Sequence, residues 1–129
     1  MMKHEISIEG DIALVIISGK VTPLGYGQVA RDLLNRPEWK PGMKTLIDYS
    51  YIDLSEETGA AANFFAEALA PYKEALGRGR CACVNSNPAD FGLGRIWQIF
   101  MEKLTHLQIG IFYSYEDALR WLSEGDLPK

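Results

Sequence analysis

Short apolar runs alternate along this chain with segments whose apolar residues recur every three or four positions. This alternation constrains the fold more than any other feature, because the two periods are typical of strands and helices. The run Ile12 to Ile17 is apolar on both faces, which predicts a strand covered on both sides. The run before it alternates Ile6 and Ile8 with polar residues, and the turn pair Gly10-Asp11 joins the two into a hairpin.

Seven further elements follow the hairpin. The later strands are predicted at Lys44 to Tyr49, Arg80 to Val84 and Leu107 to Tyr113. Helix-capping residues precede the four helices, namely Thr22, Ser55, Asn87 and Ser114. The second helix is predicted from about Ser55 to Leu76, with a kink or an end of its regular part at Pro71.

The order β-β-α-β-α-β-α-β-α predicts an α/β fold with a mostly parallel five-stranded sheet, one antiparallel N-terminal hairpin strand and four helices. The length of 129 residues predicts a single domain over residues 1–129.

The net charge of −4 gives no reason to expect binding to nucleic acid or to an anionic membrane surface. The two cysteines, Cys81 and Cys83, would share one face of a strand and are interpreted as small buried hydrophobes rather than as a disulfide or metal site. We therefore expect no cofactor and no metal. The N-terminus lacks the apolar stretch of a signal peptide, and no apolar run could cross a bilayer, so we expect a cytoplasmic protein without a transmembrane segment.

The third strand and the start of the second helix carry the only stretch that resembles a functional motif. Ile47-Asp48-Tyr49-Ser50 and then Glu56-Glu57-Thr58-Gly59 resemble the STAS domain, the fold of the SpoIIAA-like anti-sigma-factor antagonists. In that family the strand ends in a pattern such as Leu-Asp-Leu-Ser. The hydroxyl of a following Asp-Ser-Ser-Gly is the phosphate acceptor.

The resemblance places Thr58 on the acceptor position, in the first turn of a helix that favours a phosphate. Glu56 and Glu57 stand where the family has an acidic residue and a serine. Their carboxylates would repel a phosphate and partly substitute for its charge. The surrounding residues are then a candidate interaction surface, which comprises Asp53, Ser55, Glu56, Glu57 and Gly59.

Two other segments, Arg36 to Gly42 and Glu116 to Leu122, look like those of bacterial SpoIIAA-like single-domain proteins. That group is structurally related to the CRAL-TRIO lipid-carrying domains. The resemblance implies no catalytic residues.

Polar residues follow the strands whose carboxyl ends should meet at one edge of the sheet, where open α/β sheets bind ligands. This candidate ligand edge comprises Lys20, Thr22, Asp48, Ser50, Asn85, Ser86 and Ser114. Helix capping alone would account for Thr22 and Ser114.

The third helix carries more apolar residues than one sheet face needs, and it faces an alanine-rich second helix. The large residues of this region could line an apolar cleft, pack in the core or contact a second copy of the chain. The candidates are Phe64, Phe65, Phe91, Trp97 and Met101.

The leading hypothesis is a non-enzymatic STAS/SpoIIAA-like regulatory or protein-interaction module. The alternative is a carrier or sensor of a small apolar, lipid-like ligand, which could act at the membrane surface. An enzyme is the weakest hypothesis, because the sequence shows no catalytic triad, metal cluster or paired carboxylates.

Overall fold

The computed structural model describes residues 2–53, 66–87 and 91–124, with the side chains of Phe91 and Leu93 outside this description. The strands are β1 Lys3–Glu9, β2 Ile12–Lys20, β3 Lys44–Asp53, β4 Arg80–Val84 and β5 Gln108–Phe112. The long helices are α1 Pro23–Leu34, α3 Phe91–Leu104 and α4 Tyr115–Glu124. The described part of α2 consists of helical residues 66–69, a 3-10 turn Ala70–Tyr72 and the α-helix Lys73–Leu76.

The five strands form one sheet in the order β1-β2-β3-β4-β5, which is also their order along the chain. β1 pairs antiparallel with β2, and every other neighbouring pair is parallel. The predicted fold class is therefore confirmed. Pro71 lies within the 3-10 turn of α2, as expected from its missing N–H.

The three crossover helices pack on the same face of the sheet, which we call the helical face. Each crossover joins neighbouring strands in one direction, so right-handed connections place α1, α2 and α3 on one side. Val29 of α1, Leu69 of α2 and Met101 of α3 share a buried core with Val15 and Ile17 of β2.

The last helix lies on the opposite face, which we call the α4 face. Ala118 and Leu122 of α4 are fully buried against Leu46, Ala82 and Val84 of β3 and β4. Trp121 packs on Phe112 of β5, with ring centroids 5.5 Å apart. This one helix therefore supplies a second, smaller core on β3, β4 and β5.

β2 departs from the prediction that it is covered on both sides. Ala13, Val15 and Ile17 point to the helical face and are fully buried. The alternate residues, Ile12, Leu14 and Ile16, point to the α4 face and are only half-buried. The reason is topological, because α4 packs mainly on β3, β4 and β5, so Ile12 and Leu14 only border its core.

β2 and β3 are both longer than the sequence predicts and include a bulge. Ile16 pairs with Asp48 while Ser18 pairs with Tyr51, so β3 contains one more residue than β2 between these pairs. β3 therefore continues to Asp53 rather than ending near Tyr49.

The cysteines are buried and free, as predicted. No helix in the described ranges is both long enough and apolar enough to span a bilayer.

The outer edge of β5 is closed by two side chains of α3. Gln98 donates from Nε2 to the carbonyl of Ile109 over 2.8 Å, and the N–H of Ile109 donates to Oε2 of Glu102 over 3.0 Å. A side-chain pair one helical turn apart thus occupies the outward backbone groups of Ile109, which hinders pairing of this edge with another chain.

The second core provides a test of the α4 contact. Leu122→Ala should lower the free energy of unfolding by about 2–5 kcal/mol, because it leaves a cavity under α4. Leu119→Ala, in the same helix but 43% exposed, is the matched control and should change stability by less than about 1 kcal/mol. Urea unfolding of both variants measures the difference. Equal losses would show that α4 does not pack as described.

Candidate functional site

Asp48 lies at the centre of the polar cluster at the carboxyl edge of the sheet. Its side chain points to the α4 face and is almost completely buried. Oδ1 accepts a hydrogen bond from the backbone N–H of Ser50 at 2.9 Å, and Oδ2 accepts one from the hydroxyl of Tyr115 at 2.6 Å. One carboxylate therefore ties the β3 bulge to the first residue of α4.

Local structure explains why a buried carboxylate is tolerated there. The bulge brings the Ser50 N–H within reach, and the N-terminus of α4 carries a partial positive charge that favours a nearby anion. Burial, followed by the hydrogen bond to Asp48 and its charge, raises the pKa of Tyr115 well above its ordinary value. The tyrosine therefore remains a hydrogen-bond donor throughout the physiological pH range.

Hydrogen bonds also join the loop that follows β4 to β3 and to the end of β5. The N–H of Ser86 donates to Oγ of Ser50 over 3.2 Å, and the N–H of Asn85 donates to the carbonyl of Phe112 over 3.0 Å. Ser114 accepts from the N–H of Asp117 over 3.2 Å and so caps α4. The structure therefore brings five of the seven predicted edge residues into one connected region.

The other two predicted edge residues lie on the side of β2 and α1. Thr22 accepts from the N–H of Gly25 over 3.0 Å, which confirms it as the N-cap of α1. Lys20 is the last residue of β2 and stands in register with Asp53, the exposed last residue of β3.

An aromatic cluster occupies the helical face near the same end of β3. The rings of Tyr26, Tyr49 and Trp97 lie with centroids 5.7–6.4 Å apart. Burial raises the pKa of both tyrosines well above the ordinary value. The indole N–H of Trp97 has no hydrogen-bond partner among the described residues.

The proposed apolar cleft falls partly outside the described residues. Trp97 and Met101 belong to the core, with 6% and 1% of their surface exposed. Phe64 and Phe65 lie outside the described residues, as does the side chain of Phe91.

A small apolar cavity separates β2 and β3 from the helices. Its volume is about 40 Å³, and it is lined by side chains that include Val15, Tyr26, Leu69 and Met101. That volume is enough for roughly three water molecules. A cavity of this volume is too small for a lipid chain. The lipid-carrier hypothesis stays a prediction without further support.

The proposed phosphate acceptor also falls outside the described residues. Residues 54–65 include Thr58 and its predicted neighbours Ser55, Glu56, Glu57 and Gly59. The structure fixes where this segment begins, because Asp53 ends β3 at the carboxyl edge of the sheet.

Sequence reasoning missed Tyr115, which supplies the shortest side-chain bond of the Asp48 cluster. Tyr115 and Asp48 are 67 positions apart, and no local pattern joins them. The only available signal was the position of a tyrosine directly after a capping serine, at a strand-to-helix junction on the same edge as Asp48.

The comparisons with solved structures agree on the architecture. An uncharacterised DUF3478-family protein with a SpoIIAA-like fold, from Shewanella loihica PV-4, is 22% identical with a TM-score of 0.61, over 94% of this chain and 93% of that one. The chain has a SpoIIAA-like fold. An anti-sigma factor antagonist from Mycobacterium paratuberculosis is 19% identical with a TM-score of 0.55, over 95% of each chain. No protein-family model and no curated protein matches the sequence significantly.

At these identities the likeness establishes the SpoIIAA-like fold and nothing more specific. Within that fold, Asp48 and Ser50 lie at the end of the strand that leads into the segment of Thr58. The described polar edge is therefore directly continuous with the stretch that carried the sequence resemblance.

The Asp48–Tyr115 bond generates a stability prediction. Tyr115→Phe should lower the free energy of unfolding by about 1.5–3 kcal/mol, because it removes a hydrogen bond to a buried charged acceptor. Tyr51→Phe is the control. Tyr51 is 65% exposed, its side chain lies on the α4 face like that of Asp48, and its hydroxyl has no described hydrogen bond. Denaturant unfolding of both variants tests the bond. Equal stability of Tyr115→Phe and the parent would contradict it.

The raised pKa values predict an alkaline limit to stability. Tyr26, Tyr49 and Tyr115 bind their protons more tightly in the folded state, so their contribution is complete below the ordinary tyrosine pKa of about 10 and is lost as the pH rises above it. We expect ultraviolet absorbance of tyrosinate to reveal fewer than the six tyrosines of the chain until alkaline unfolding begins. Titration of all six before any loss of structure would contradict this.

Proposed function

We propose that this protein is a non-enzymatic regulatory module of the SpoIIAA/STAS type that binds another protein through the segment following β3. The observation that carries the proposal is the match of fold along almost the whole chain to a protein described as an anti-sigma factor antagonist. The name describes an antagonist of a protein factor, so the comparison favours a protein partner over a small-molecule substrate.

The described geometry supports this position for the binding surface. β3 ends with exposed Asp53, and the neighbouring bulge is held by Asp48 and Ser50. These hydrogen bonds would hold the end of β3 in place. A binding surface that begins at a rigid strand end loses less conformational entropy when a partner binds. The proposed surface comprises Asp53, Ser55, Glu56, Glu57, Thr58 and Gly59.

Thr58 is the proposed phosphoacceptor of this surface. A phosphate would add a charge of about −1.5 to −2 beside two glutamates, and so would alter the affinity for a partner by repulsion and by new hydrogen-bond acceptors. The module would then exist in two states that differ in charge at one residue.

A binding experiment tests the surface. Tagged parent protein and the Thr58→Lys variant are incubated with lysate of the source cells, and retained proteins are identified by mass spectrometry. We expect a protein retained by the parent to be lost with Thr58→Lys, because the new side chain adds bulk and opposite charge. Gln28→Lys, an equal charge change at an exposed position of α1, should retain it. Retention by all three proteins would exclude this surface.

Phosphorylation requires its own measurement. Phosphopeptide mass spectrometry of the protein from growing cells should detect modified Thr58, and Thr58→Ala should remove the signal. Consistent recovery of the unmodified peptide alone, under growth and starvation, would eliminate Thr58 as the acceptor while leaving the binding surface to the previous test.

A further inference from the structure

The α4 face of β2 forms the floor of an open groove. Ile12, Leu14 and Ile16 lie side by side along it and are only half-buried, although Leu46 of the next strand is fully covered. Ile12 and Leu14 border the core under α4, and all three residues keep part of their apolar surface in contact with solvent. The strand has the composition of a buried one, but within residues 2–53, 66–87 and 91–124 the helix on this side packs mainly on β3, β4 and β5.

One wall of the groove is the flank of α4. Trp121 packs towards β5, so the opposite flank of the helix faces β3 and β2. That flank carries Tyr115 and Leu119, which are one helical turn apart and 37% and 43% exposed. Tyr51 lies on the α4 face near the carboxyl end of β3, and 65% of its surface is exposed. Tyrosines beside aliphatic residues are typical of the centres of protein interfaces.

The other wall is β1, and it is acidic. Glu5 pairs across the strands with Ile16, and Glu9 pairs with Ile12, so both carboxylates border the floor. Neither carboxylate has an ion-pair partner among the described residues. Lys44, which pairs with Ile12 at the start of the floor, forms an ion pair from Nζ to Oδ2 of Asp11 at 3.1 Å. Lys3, opposite Ser18 at the far end, is the basic residue of this wall.

The width of the groove matches one helix. α4 packs most on β4, less on β5 and least on β3, so it is centred at or beyond β4, and β2 lies at least two strands away. Two strand spacings amount to about 10 Å. Packed helices lie about 8–10 Å apart, so a helix placed over β2 would contact both the floor and the α4 wall.

We propose that this groove binds an amphipathic helix of a partner protein, with an apolar stripe on the floor and Lys or Arg residues directed at Glu5 and Glu9. The acidic wall favours a basic partner over a second copy of this chain, which would bring the same two glutamates and a net charge of −4. The groove lies on the face opposite α1, α2 and α3, and its lining is argued from described residues alone, so the proposal does not rest on the proposed function.

A designed peptide tests the groove. The probe is a fluorescein-labelled helix of about 18 residues, with leucines on one stripe and lysines on the flanks. Its affinity is measured by anisotropy, and its position by amide chemical shifts of the labelled protein. We expect shifts along β2, at Tyr51 and at Leu119. A scrambled peptide of the same composition should bind at least about tenfold more weakly, because it has no apolar stripe.

Variants of the two walls make the test specific. Glu9→Lys should weaken binding of the probe about fivefold or more, whereas Glu38→Lys, an equal charge reversal in the α1–β3 loop, should have little effect. Leu119→Ala should weaken it about tenfold. Thr58→Lys should leave it unchanged, which separates this proposal from the proposed function.

Three results would overturn the proposal. Equal weakening by Glu9→Lys and Glu38→Lys would show non-specific charge attraction, and shifts confined to the helical face would place the peptide elsewhere. A dimer in sedimentation that Leu119→Ala dissociates would show that a second copy occupies the groove.

Discussion

The structure depends on one topological constraint, the strand order β1 to β5 with every crossover between neighbours. Right-handed crossovers in a single direction place all the connecting helices on one face of the sheet. In the part of the chain that the structure describes, the other face receives only the helix after the last strand, which packs on β3, β4 and β5. A large core on one side, a small one on the other and an open β2 are therefore consequences of a single rule.

The same constraint makes Asp48 structurally important. α4 has no following strand to fix its position, so its first turn needs another attachment to the sheet. The carboxylate supplies it through Tyr115, and its other oxygen holds the bulge at Ser50. Asp48, which the sequence analysis placed among the candidate ligand-binding residues of the sheet edge, thus has a structural role that accounts for its burial. The surface proposed for binding begins five residues later, at Asp53.

The sequence predicted the parts of the fold that depend on local periodicity. Alternation and capping residues indicated the order of elements, the hairpin, the Thr22 cap and the disturbance at Pro71. It did not predict the bulge in β3, because the register of two strands depends on contacts between distant residues. The Asp48–Tyr115 bond was hidden for the same reason. Trp97 and Met101 could not be assigned to core or cleft by periodicity, since both alternatives place them on the apolar side of α3.

The difference between prediction and structure at β2 has a physical meaning. A strand apolar on both faces is expected to be covered on both, and hydrophobic burial stabilises by about 25 cal/mol for each Å² removed from water. The helical face of β2 realises that stabilisation fully, whereas the row of Ile12, Leu14 and Ile16 realises it only in part. A solvent-facing strand would satisfy the same register with Thr, Lys or Glu on this row, as β1 does with Glu5, Ser7 and Glu9. The large aliphatic side chains of this row fit the second layer that the proposed partner helix would add to the described part of the chain, and the acidic strand beside the row favours a basic helix.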